Sequence, residues 1–382
     1  MSRKSIPQTT RLKLWVKAGG RCQFKHCNKP VYEHEMTLQD GNFADVAHII
    51  GAKKNAARGG EFSEELQVEY SNLMLLCKDC HKLIDDDEEN YDVEILRRWK
   101  QEHEDRIEVL TGLSPETPRS TILKMQVNIG DRMIGIADEA MFNAMFNQTP
   151  PKYPLDKKGI LIRESDFDKT ADEVHWQKFA ETKIKNRIDW YLQESIDGTA
   201  VKHLSIFAIG PMPLLMYLGK CVGDTIQADI YQSHRDIKDT NKSWSWKTCE
   251  VQPLNIKVEH PKTEKGDNVA LVIALSDHIE ADKYEDFIQD GFAIYKMFVE
   301  KPSVHLIQSP SHIEEFSRFF RDLLNFIQMN HGKNCNIHLL PAVSVSIGVQ
   351  IGRSLLPAKD PSIFVCEIQQ PEKNFKRVLK IN

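Results

Sequence analysis

The sequence lacks the features of a membrane or secreted protein. Its 382 residues contain no run of about eighteen apolar residues, which is what a helix needs to cross a bilayer. The first residues, Met1-Ser2-Arg3-Lys4-Ser5-Ile6-Pro7, are basic but are not followed by an apolar stretch, so we expect no secretory signal. We therefore expect a cytoplasmic protein that does not bind membranes.

An overall basic charge is also absent, because the net charge is −5. The distribution is more informative: residues 1–60 contain eleven Lys or Arg against four acids, a local excess of +7. Such clustering favours binding to a phosphate backbone. The acidic run 85–89 reverses the sign, and we interpret it as a solvated loop and helix start, with metal binding or self-inhibition as the alternative.

Close cysteine pairs are present, which is unusual for a protein of a reducing compartment unless they bind metal. Cys22 and Cys27 form one pair, Cys77 and Cys80 the other, and the remaining four of the eight cysteines are scattered. Four thiolates are the set that a tetrahedral structural zinc uses, so we predict Zn²⁺ at these residues. Such an ion would supply much of the folding energy of a small, loop-rich domain.

The length predicts more than one domain, because a single hydrophobic core rarely serves 382 residues. Residues 111–120 hold two prolines and no apolar periodicity, as is typical of a linker. We predict a first domain at 1–112, a linker at 113–120 and a second domain at 121–382. Within the first domain we predict a helix over 8–19, a strand over 43–50, a flexible basic loop over 51–60 and a helix from Tyr91 to Leu110.

His48, Asn72 and His81 stand among the cysteines and suggest catalysis. Metal-assisted phosphodiester hydrolysis requires a base, a divalent cation and groups that orient both. A histidine of near-neutral pKa suits the base, and a second histidine suits the metal. The alternatives are a core histidine at 48, a turn cap at Asn72, or a zinc-containing DNA-binding module without catalysis.

Residues 10–110 resemble the HNH nucleases. The resemblance implies an α+β domain with a zinc-braced ββα-metal motif that cuts double-stranded DNA. His48 would be the general base, Asn72 would orient it, and His81 would bind the catalytic Mg²⁺, with Mn²⁺ or Ni²⁺ as substitutes. Many members place an acidic metal ligand directly before the first histidine, but this chain has Ala47 there. Asp45 is the nearest acidic substitute.

The second domain is predicted to be α/β, with alternating strands and helices. Residues 203–219 and 336–352 share a layout of strand, small-residue turn and helix, with Gly219 and Gly352 in equivalent places. They predict two Rossmann-like halves with a ligand crevice at the carboxyl ends of their strands, or else two ordinary βα units. The predicted strands are 204–209, 228–231, 270–275, 336–340 and 362–367, and the predicted helices are 176–192, 214–222, 284–298, 313–329 and 345–355.

Residues 121–382 resemble the SAVED domain, a fused pair of CARF-like halves, on the stretches 207–213, 275–278, 338–342 and 352–353. The resemblance implies binding of a cyclic di- or trinucleotide, which needs aromatic faces for bases and polar donors for phosphates. Trp244 and Trp246 are candidates for stacking, although a strand that buries one tryptophan is the alternative. The other candidate ligand-binding residues are Gly210, Pro211, Ser276, His278 and Arg353.

The two resemblances together predict a cyclic-oligonucleotide-activated, metal-dependent DNA endonuclease. An HNH unit joined to a SAVED domain is an arrangement of CBASS antiphage effectors, which act by abortive infection. Ligand would promote a homo-oligomer, a dimer or a higher assembly, since a double-strand break needs two active sites. The alternatives are a modification-dependent HNH restriction endonuclease and a DNA-binding regulator that does no chemistry.

Overall fold

The computed structural model divides the chain into two compact units, residues 1–116 and residues 117–382. It describes residues 4–112, 114–128, 135–155, 159–193, 201–247, 251–261, 266–285, 288, 291–369 and 374–382. The division falls inside the stretch 113–120. No helix in the described ranges combines the length and the hydropathy that a membrane span requires.

The N-terminal unit is built around one β-hairpin and the helix that follows it. Its elements are α1 (Gln8–Lys17), β1 (Ala44–His48), α2 (Ser63–Leu66), β2 (Leu73–Cys77), α3 (Lys78–Asp86) and α4 (Val93–Thr111). The predicted helices over 8–19 and 91–110 and the strand over 43–50 correspond to α1, α4 and β1.

The hairpin pairs β1 with β2 in antiparallel register, with Asp45 opposite Leu76 and His48 opposite Leu73. Residues 73–76, Leu-Met-Leu-Leu, are fully buried and form the centre of this unit's core. The chain enters α3 directly from β2, because Cys77 is the last residue of the strand and the N-cap of the helix. The result is a ββα arrangement in which both strands and the helix share one core.

The C-terminal unit is α/β and contains two sheets. Its elements are β3 (Arg119–Val127), α5 (Asp138–Phe146), β4 (Tyr153–Pro154), β5 (Ile160–Glu164), α6 (Glu173–Phe179), α7 (Asn186–Gln193), β6 (His203–Ile209), α8 (Met212–Val222), β7 (Gln227–Ile230), β8 (Lys257–Glu259), β9 (Asn268–Ala274), β10 (Ala293–Phe298), α9 (Pro310–His331), β11 (Asn336–Ala342), α10 (Val345–Arg353), β12 (Ser362–Gln369) and β13 (Asn374–Lys380). A π-helical stretch, Ala180–Lys185, joins α6 to α7.

The two sheets repeat one parallel topology. The order β5-β3-β6-β7 in the first corresponds to β10-β9-β11-β12 in the second, and each is 2-1-3-4 when its strands are numbered along the chain. In both, the helix after the third strand (α8 or α10) leads to the fourth strand. The predicted pair of similar halves is therefore confirmed, and the alternative of two unrelated βα units is not.

The halves meet where α8 crosses α10 at Gly219 and Gly352. A Cβ atom on Gly219 would lie 1.9 Å from the carbonyl oxygen of Val349, and one on Gly352 would lie 1.8 Å from that of Met216. Each glycine thus faces the backbone three residues before the other glycine. This symmetric contact lets the two helices approach more closely than any side chain would permit.

Two predictions about local structure are wrong. Residues 284–298 were predicted to be helical, but their last six form β10, whose side chains alternate between buried and partly exposed as a strand requires. The loop 51–60 was predicted to be flexible. It is instead tightly wound, because the N–H groups of Gly51, Ala56 and Gly59 donate to carbonyls within the loop at 2.8–3.1 Å.

The contact between Gly219 and Gly352 predicts that glycine-to-alanine substitutions in α8 and α10 differ sharply in their effect on stability. Gly352→Ala and Gly219→Ala should each destabilise the protein by about 1–3 kcal/mol or more, because the methyl group collides with backbone and not with a movable side chain. Gly348→Ala is the matched control, since its Cβ would meet only side-chain atoms, the Met212 sulfur at 3.1 Å and Leu215 at 3.5 Å or more. Thermal unfolding measures all three, and equal melting temperatures would contradict the proposed contact.

Candidate functional site

The four paired cysteines converge although they come from distant parts of the chain. Cys22 and Cys27 lie in the loop after α1, Cys77 ends β2 and Cys80 lies in the first turn of α3. All four Sγ atoms lie within 4.8 Å of one another, and those of Cys27 and Cys77 are 3.9 Å apart. A tetrahedral ion with Zn–S bonds of about 2.3 Å separates its sulfur atoms by about 3.8 Å, so the set fits zinc.

Gln23 fastens the first cysteine pair to the hairpin. Its backbone N–H donates to the carbonyl of Leu75 at 2.8 Å, and its side-chain oxygen accepts from the N–H of Leu75 at 2.8 Å. Burial raises the pKa of the neighbouring Cys22 thiol to about 12. The Cys22 thiol therefore stays protonated unless a cation lies among the four sulfur atoms.

His48 is oriented by a backbone carbonyl. Its Nε2 atom lies 2.9 Å from the carbonyl oxygen of Gln67, and because a carbonyl only accepts, Nε2 carries the proton. In the neutral imidazole the lone pair of a base is then on Nδ1.

Asn72 is buried and bonds two backbone segments that follow His48 in the chain. Its side-chain oxygen accepts from the N–H of Ile50 at 2.8 Å, and its Nδ2 donates to the carbonyls of Ile50 at 2.9 Å and Leu66 at 3.2 Å. Ile50 is two residues after His48, and Leu66 precedes Gln67, whose carbonyl orients the His48 ring. Asn72 therefore acts on the position of His48 through the backbone.

His81 lies between two carboxylates. Its Nδ1 is 3.1 Å from Oδ2 of Asp45 on β1, and its Nε2 is 3.4 Å from Oδ2 of Asp85, one turn further along α3. We call Asp45, His48, Asn72 and His81 the hairpin centre. The acidic run 85–89 thus begins with a residue that contacts this centre.

Strand geometry explains how Asp45 relates to the gap at Ala47. Alternate residues of a strand share a face, so Asp45 and Ala47 project to one side of β1 and His48 to the other. Ala47 is fully buried, whereas Asp45 reaches His81. Asp45 therefore places an acidic side chain on the same face of β1 as Ala47, where many HNH nucleases have an acidic metal ligand.

The hairpin centre does not form a cage of closely spaced ligands. Within the part of the chain that the structure describes, the four cysteines are the one group of three or more potential ligands whose atoms all lie within 4.8 Å. Asp45 and His81 nevertheless offer one oxygen and one nitrogen 3.1 Å apart. The carboxylate suits Mg²⁺, which commonly uses one or two carboxylates and completes its shell with water and phosphate, and the imidazole is a ligand that Ni²⁺ prefers.

In the C-terminal unit the carboxyl ends of β6, β7, β9 and β11 lie near the starts of α8 and α10. We call this region the carboxyl edge. Gly210 and Pro211 are buried there between β6 and α8, and the N–H of Ser276 donates to the carbonyl of Ala342 at 2.9 Å at the end of β11. His278 lies two residues beyond Ser276 and is exposed.

A polar link joins the two halves at the carboxyl edge. The side-chain oxygen of Gln232, beyond β7, accepts from the hydroxyl of Ser346 in α10 at 2.6 Å. His234 follows, and its ring lies edge-on to Trp246 with centroids 5.9 Å apart. Burial lowers the pKa of His234 to about 4, so the ring is neutral at physiological pH, and its Nε2 has no hydrogen-bond partner among the described residues.

Two predicted ligand-binding residues are not accessible to a ligand at the carboxyl edge. Arg353 is at the far end of α10, where its guanidinium donates to the carbonyls of Gly223, Ile226 and Ala228 at 2.7–3.3 Å. It closes the connection between α8 and β7 and is remote from the carboxyl edge, because α10 runs away from that edge. Trp244 is 2% exposed and packs edge-on against Phe207, so its faces are not open to a ligand.

The sequence interpretation missed several residues. Asp85 could have been found, because a helix that places His81 on one face places the residue four positions later beside it. The role of Gln67 could not, because it acts through its backbone carbonyl. Gln232 and His234 carry no motif, and only the topology brings them to the carboxyl edge.

A family model described as "SMODS-associated and fused to various effectors sensor domain", SAVED, matches residues 183–381. No curated protein matches the chain in a sequence comparison. Similar solved structures include the Acinetobacter baumannii Cap4 SAVED/CARF-domain containing receptor with the cyclic trinucleotide 2'3'3'-cAAA, at 12% identity and a TM-score of 0.42, covering 84% of this chain and 66% of that one.

The Moraxella osloensis Cap4 SAVED/CARF-domain containing receptor is similar at 11% identity and a TM-score of 0.41, again covering 84% of this chain and 66% of that one. This chain thus spans slightly less than two thirds of the length of the receptors that it matches. The family model covers more than half of the 382 residues. The chain belongs to the SAVED family of sensor domains.

Proposed function

We propose that the chain is a cyclic-oligonucleotide-activated, metal-dependent endonuclease of double-stranded DNA that serves as an antiphage effector of the CBASS type. The observation that carries the nuclease assignment is the contact between His81 on α3 and Asp45 on β1, in a ββα arrangement beside the cysteine cluster. Membership of the SAVED family supports the sensor assignment.

The chain's own residues would prepare the attacking water. His48, with its Nε2 proton held by the Gln67 carbonyl, would accept a proton from water at Nδ1. Asn72 would keep the two backbone segments around His48 in place, so that the imidazole does not have to reorganise during the reaction.

Asp45 and His81 would hold Mg²⁺, with Mn²⁺ or Ni²⁺ as possible substitutes. The ion would bear negative charge on the phosphate and on the leaving oxygen. Zn²⁺ would occupy the four cysteines and hold the loop after α1 against the hairpin. Exposed Lys53 and Lys54, in the loop after β1, would contact the DNA backbone close to the hairpin centre.

The carboxyl edge would bind the activator, because ligands of open parallel sheets bind beyond the carboxyl ends of the strands. Trp246 is partly exposed and lies beside His234, so it would stack on a base. The N-terminus of α10 and the hydroxyl group of Ser344 would face the phosphates. Activator binding would favour a homo-oligomer that places two hairpin centres on opposite DNA strands.

A plasmid assay tests the proposal. With Mg²⁺ and a cyclic trinucleotide such as 2'3'3'-cAAA, or another member of a panel of cyclic di- and trinucleotides, the protein should linearise unmodified plasmid. His48→Ala should lower the rate by about 10²- to 10⁴-fold, as expected for loss of a general base. His34→Ala is the control, since His34 lies in the same unit and caps a turn at Thr37.

Light scattering on the same samples should detect an increase in mass with the activating nucleotide. Cleavage that needs a modified base and no nucleotide would favour a restriction enzyme, and DNA binding without cleavage would favour a regulator. Full cleavage by His48→Ala would contradict the assignment of the base.

Removing one thiol should test the zinc assignment. Cys77→Ser should lose bound zinc and unfold the N-terminal unit, because three sulfur atoms no longer complete the tetrahedral set. Cys221→Ser removes a thiol from the C-terminal unit and should retain zinc. Elemental analysis and thermal unfolding measure both, and an equal zinc content in the two variants would contradict the assignment.

The sensor assignment predicts different effects for two variants of the C-terminal unit. Trp246→Ala should weaken activator binding by about 1–3 kcal/mol, the contribution of one base stacked on an aromatic ring. Arg353→Lys should lower the melting temperature, because a lysine replaces three hydrogen bonds to carbonyls, but it should leave activator affinity unchanged. Calorimetric titration distinguishes them, and a loss of affinity in Arg353→Lys alone would place the activator elsewhere.

A further inference from the structure

Arg58 is an arginine that the structure buries. It lies in the wound loop between β1 and α2, and its side chain is 4% exposed although arginine is normally a surface residue. Its backbone adopts a left-handed conformation, with φ of +55°. A buried charge in an unfavourable backbone conformation persists only where the surrounding contacts stabilise it.

The contacts of Arg58 reach both elements of the hairpin centre. On the β1 side, Nε donates to the carbonyl of Ile49 at 2.8 Å, and Nη2 approaches that of His48 at 3.4 Å. On the α3 side, Nη1 donates to the carbonyl of Ile84, one of the terminal carbonyls that the helix itself leaves unpaired. One guanidinium therefore joins the end of β1 to the end of α3.

Arg58 also reaches His81 through Asp85. Nη2 of Arg58 lies 2.7 Å from Oδ1 of Asp85, whose other oxygen lies 3.4 Å from Nε2 of His81. The opposite side of the His81 ring contacts Asp45 at 3.1 Å. Asp45, His81, Asp85 and Arg58 thus form one chain of contacts, in which Arg58 neutralises the carboxylate that holds the ring.

The loop that carries Arg58 is held in place by contacts of its own backbone. Its own N–H donates to the Glu88 carboxylate at 2.8 Å, so α3 and the residues after it hold the backbone as well as the side chain. At the next residue, Gly59, a Cβ atom would lie 2.4–2.7 Å from the carbonyl oxygens of Lys53, Lys54 and Ala56. The backbone is therefore packed against itself behind the guanidinium.

We propose that Arg58 is a positioning residue of the hairpin centre: it sets the distance between His48 and His81 and orients Asp85 on His81. The inference rests on the proposed nuclease function. The planar guanidinium is required, because its separate N–H groups point to three carbonyls and a carboxylate at once, which a lysine ammonium cannot reproduce.

The test compares Arg58→Lys with Arg106→Lys in the full-length, zinc-loaded protein. Arg106 is an exposed arginine of α4 that contacts Asn28 and is remote in sequence from the hairpin. Activator-dependent cleavage is measured well below the melting temperature of each variant. We expect Arg58→Lys to lower kcat by at least about tenfold with little change in KM for DNA, as for residues that orient metal ligands. Arg106→Lys should match the wild type.

A second measurement does not depend on cleavage. Titration of zinc-loaded protein with Mn²⁺, followed by electron paramagnetic resonance, should detect a site that Arg58→Lys weakens by about tenfold or more. Asp85→Asn should weaken it similarly, and the double variant should be scarcely worse than either single variant, because Arg58 acts through Asp85.

The outcomes separate this inference from the proposed function. If the wild type cuts DNA and Arg58→Lys cuts equally well once folded, or if the two substitutions are additive, Arg58 only stabilises the fold and the inference is overturned. A wild type that neither cuts DNA nor binds Mn²⁺ overturns the proposed function and this inference together. A wild type that binds Mn²⁺ without cutting overturns the nuclease assignment, while the affinity of Arg58→Lys still decides the positioning role.

Discussion

The backbone contact of α8 with α10 at Gly219 and Gly352 fixes how the two halves of the C-terminal unit combine. Because neither glycine has a Cβ atom, the helices cross with carbonyl oxygens where side chains would stand. Both helices begin at the carboxyl edge, so their crossing angle and distance set the width of any ligand site there. The hydrogen bond between Gln232 and Ser346 joins the halves at that edge and is buried with them.

The N-terminal unit depends on links of a different kind. Its hairpin is short: Asp45 and His48 lie on a strand of five residues, and His81 lies on a helix of nine. The cysteine cluster holds one end of this assembly, and Arg58 holds the other, where β1 and α3 end. Between them lie the buried side-chain amides of Gln23 and Asn72. Their oxygen atoms accept hydrogen bonds from the backbone N–H groups of Leu75 and Ile50, which the two-stranded sheet leaves unpaired. Polar links thus fix the geometry of the centre together with the packing of the shared core.

The features that sequence could predict are those that local spacing encodes. The cysteine pairs are close in sequence, and the matched layouts around Gly219 and Gly352 repeat within one chain. Strand β10 was predicted as helix because short apolar runs satisfy both periodicities. Arg353 and Trp244 were assigned to the ligand because their chemistry suits it. Their burial and partners depend on where β7 and Phe207 lie, which only the tertiary structure determines.

Asp45 and Asp85 illustrate the same limit within the proposed centre. The sequence placed Asp45 as the nearest acid to His48, and the alternation of β1 explains how it reaches His81 instead of lying beside His48. Asp85 is the first of five consecutive acidic residues. Only the helix geometry, which places it one turn after His81, distinguishes it from the other four. We infer the function from resemblance, and the contacts of these residues identify the atoms that would take part in it.

The central claim is that the state of the C-terminal unit controls chemistry in the N-terminal unit. The most direct test measures activator occupancy, by calorimetry, and the rate of plasmid cleavage with Mg²⁺ under identical conditions across one titration. We predict a rate near zero without activator that rises in step with occupancy. A cleavage rate that is the same at zero and at full occupancy would contradict it.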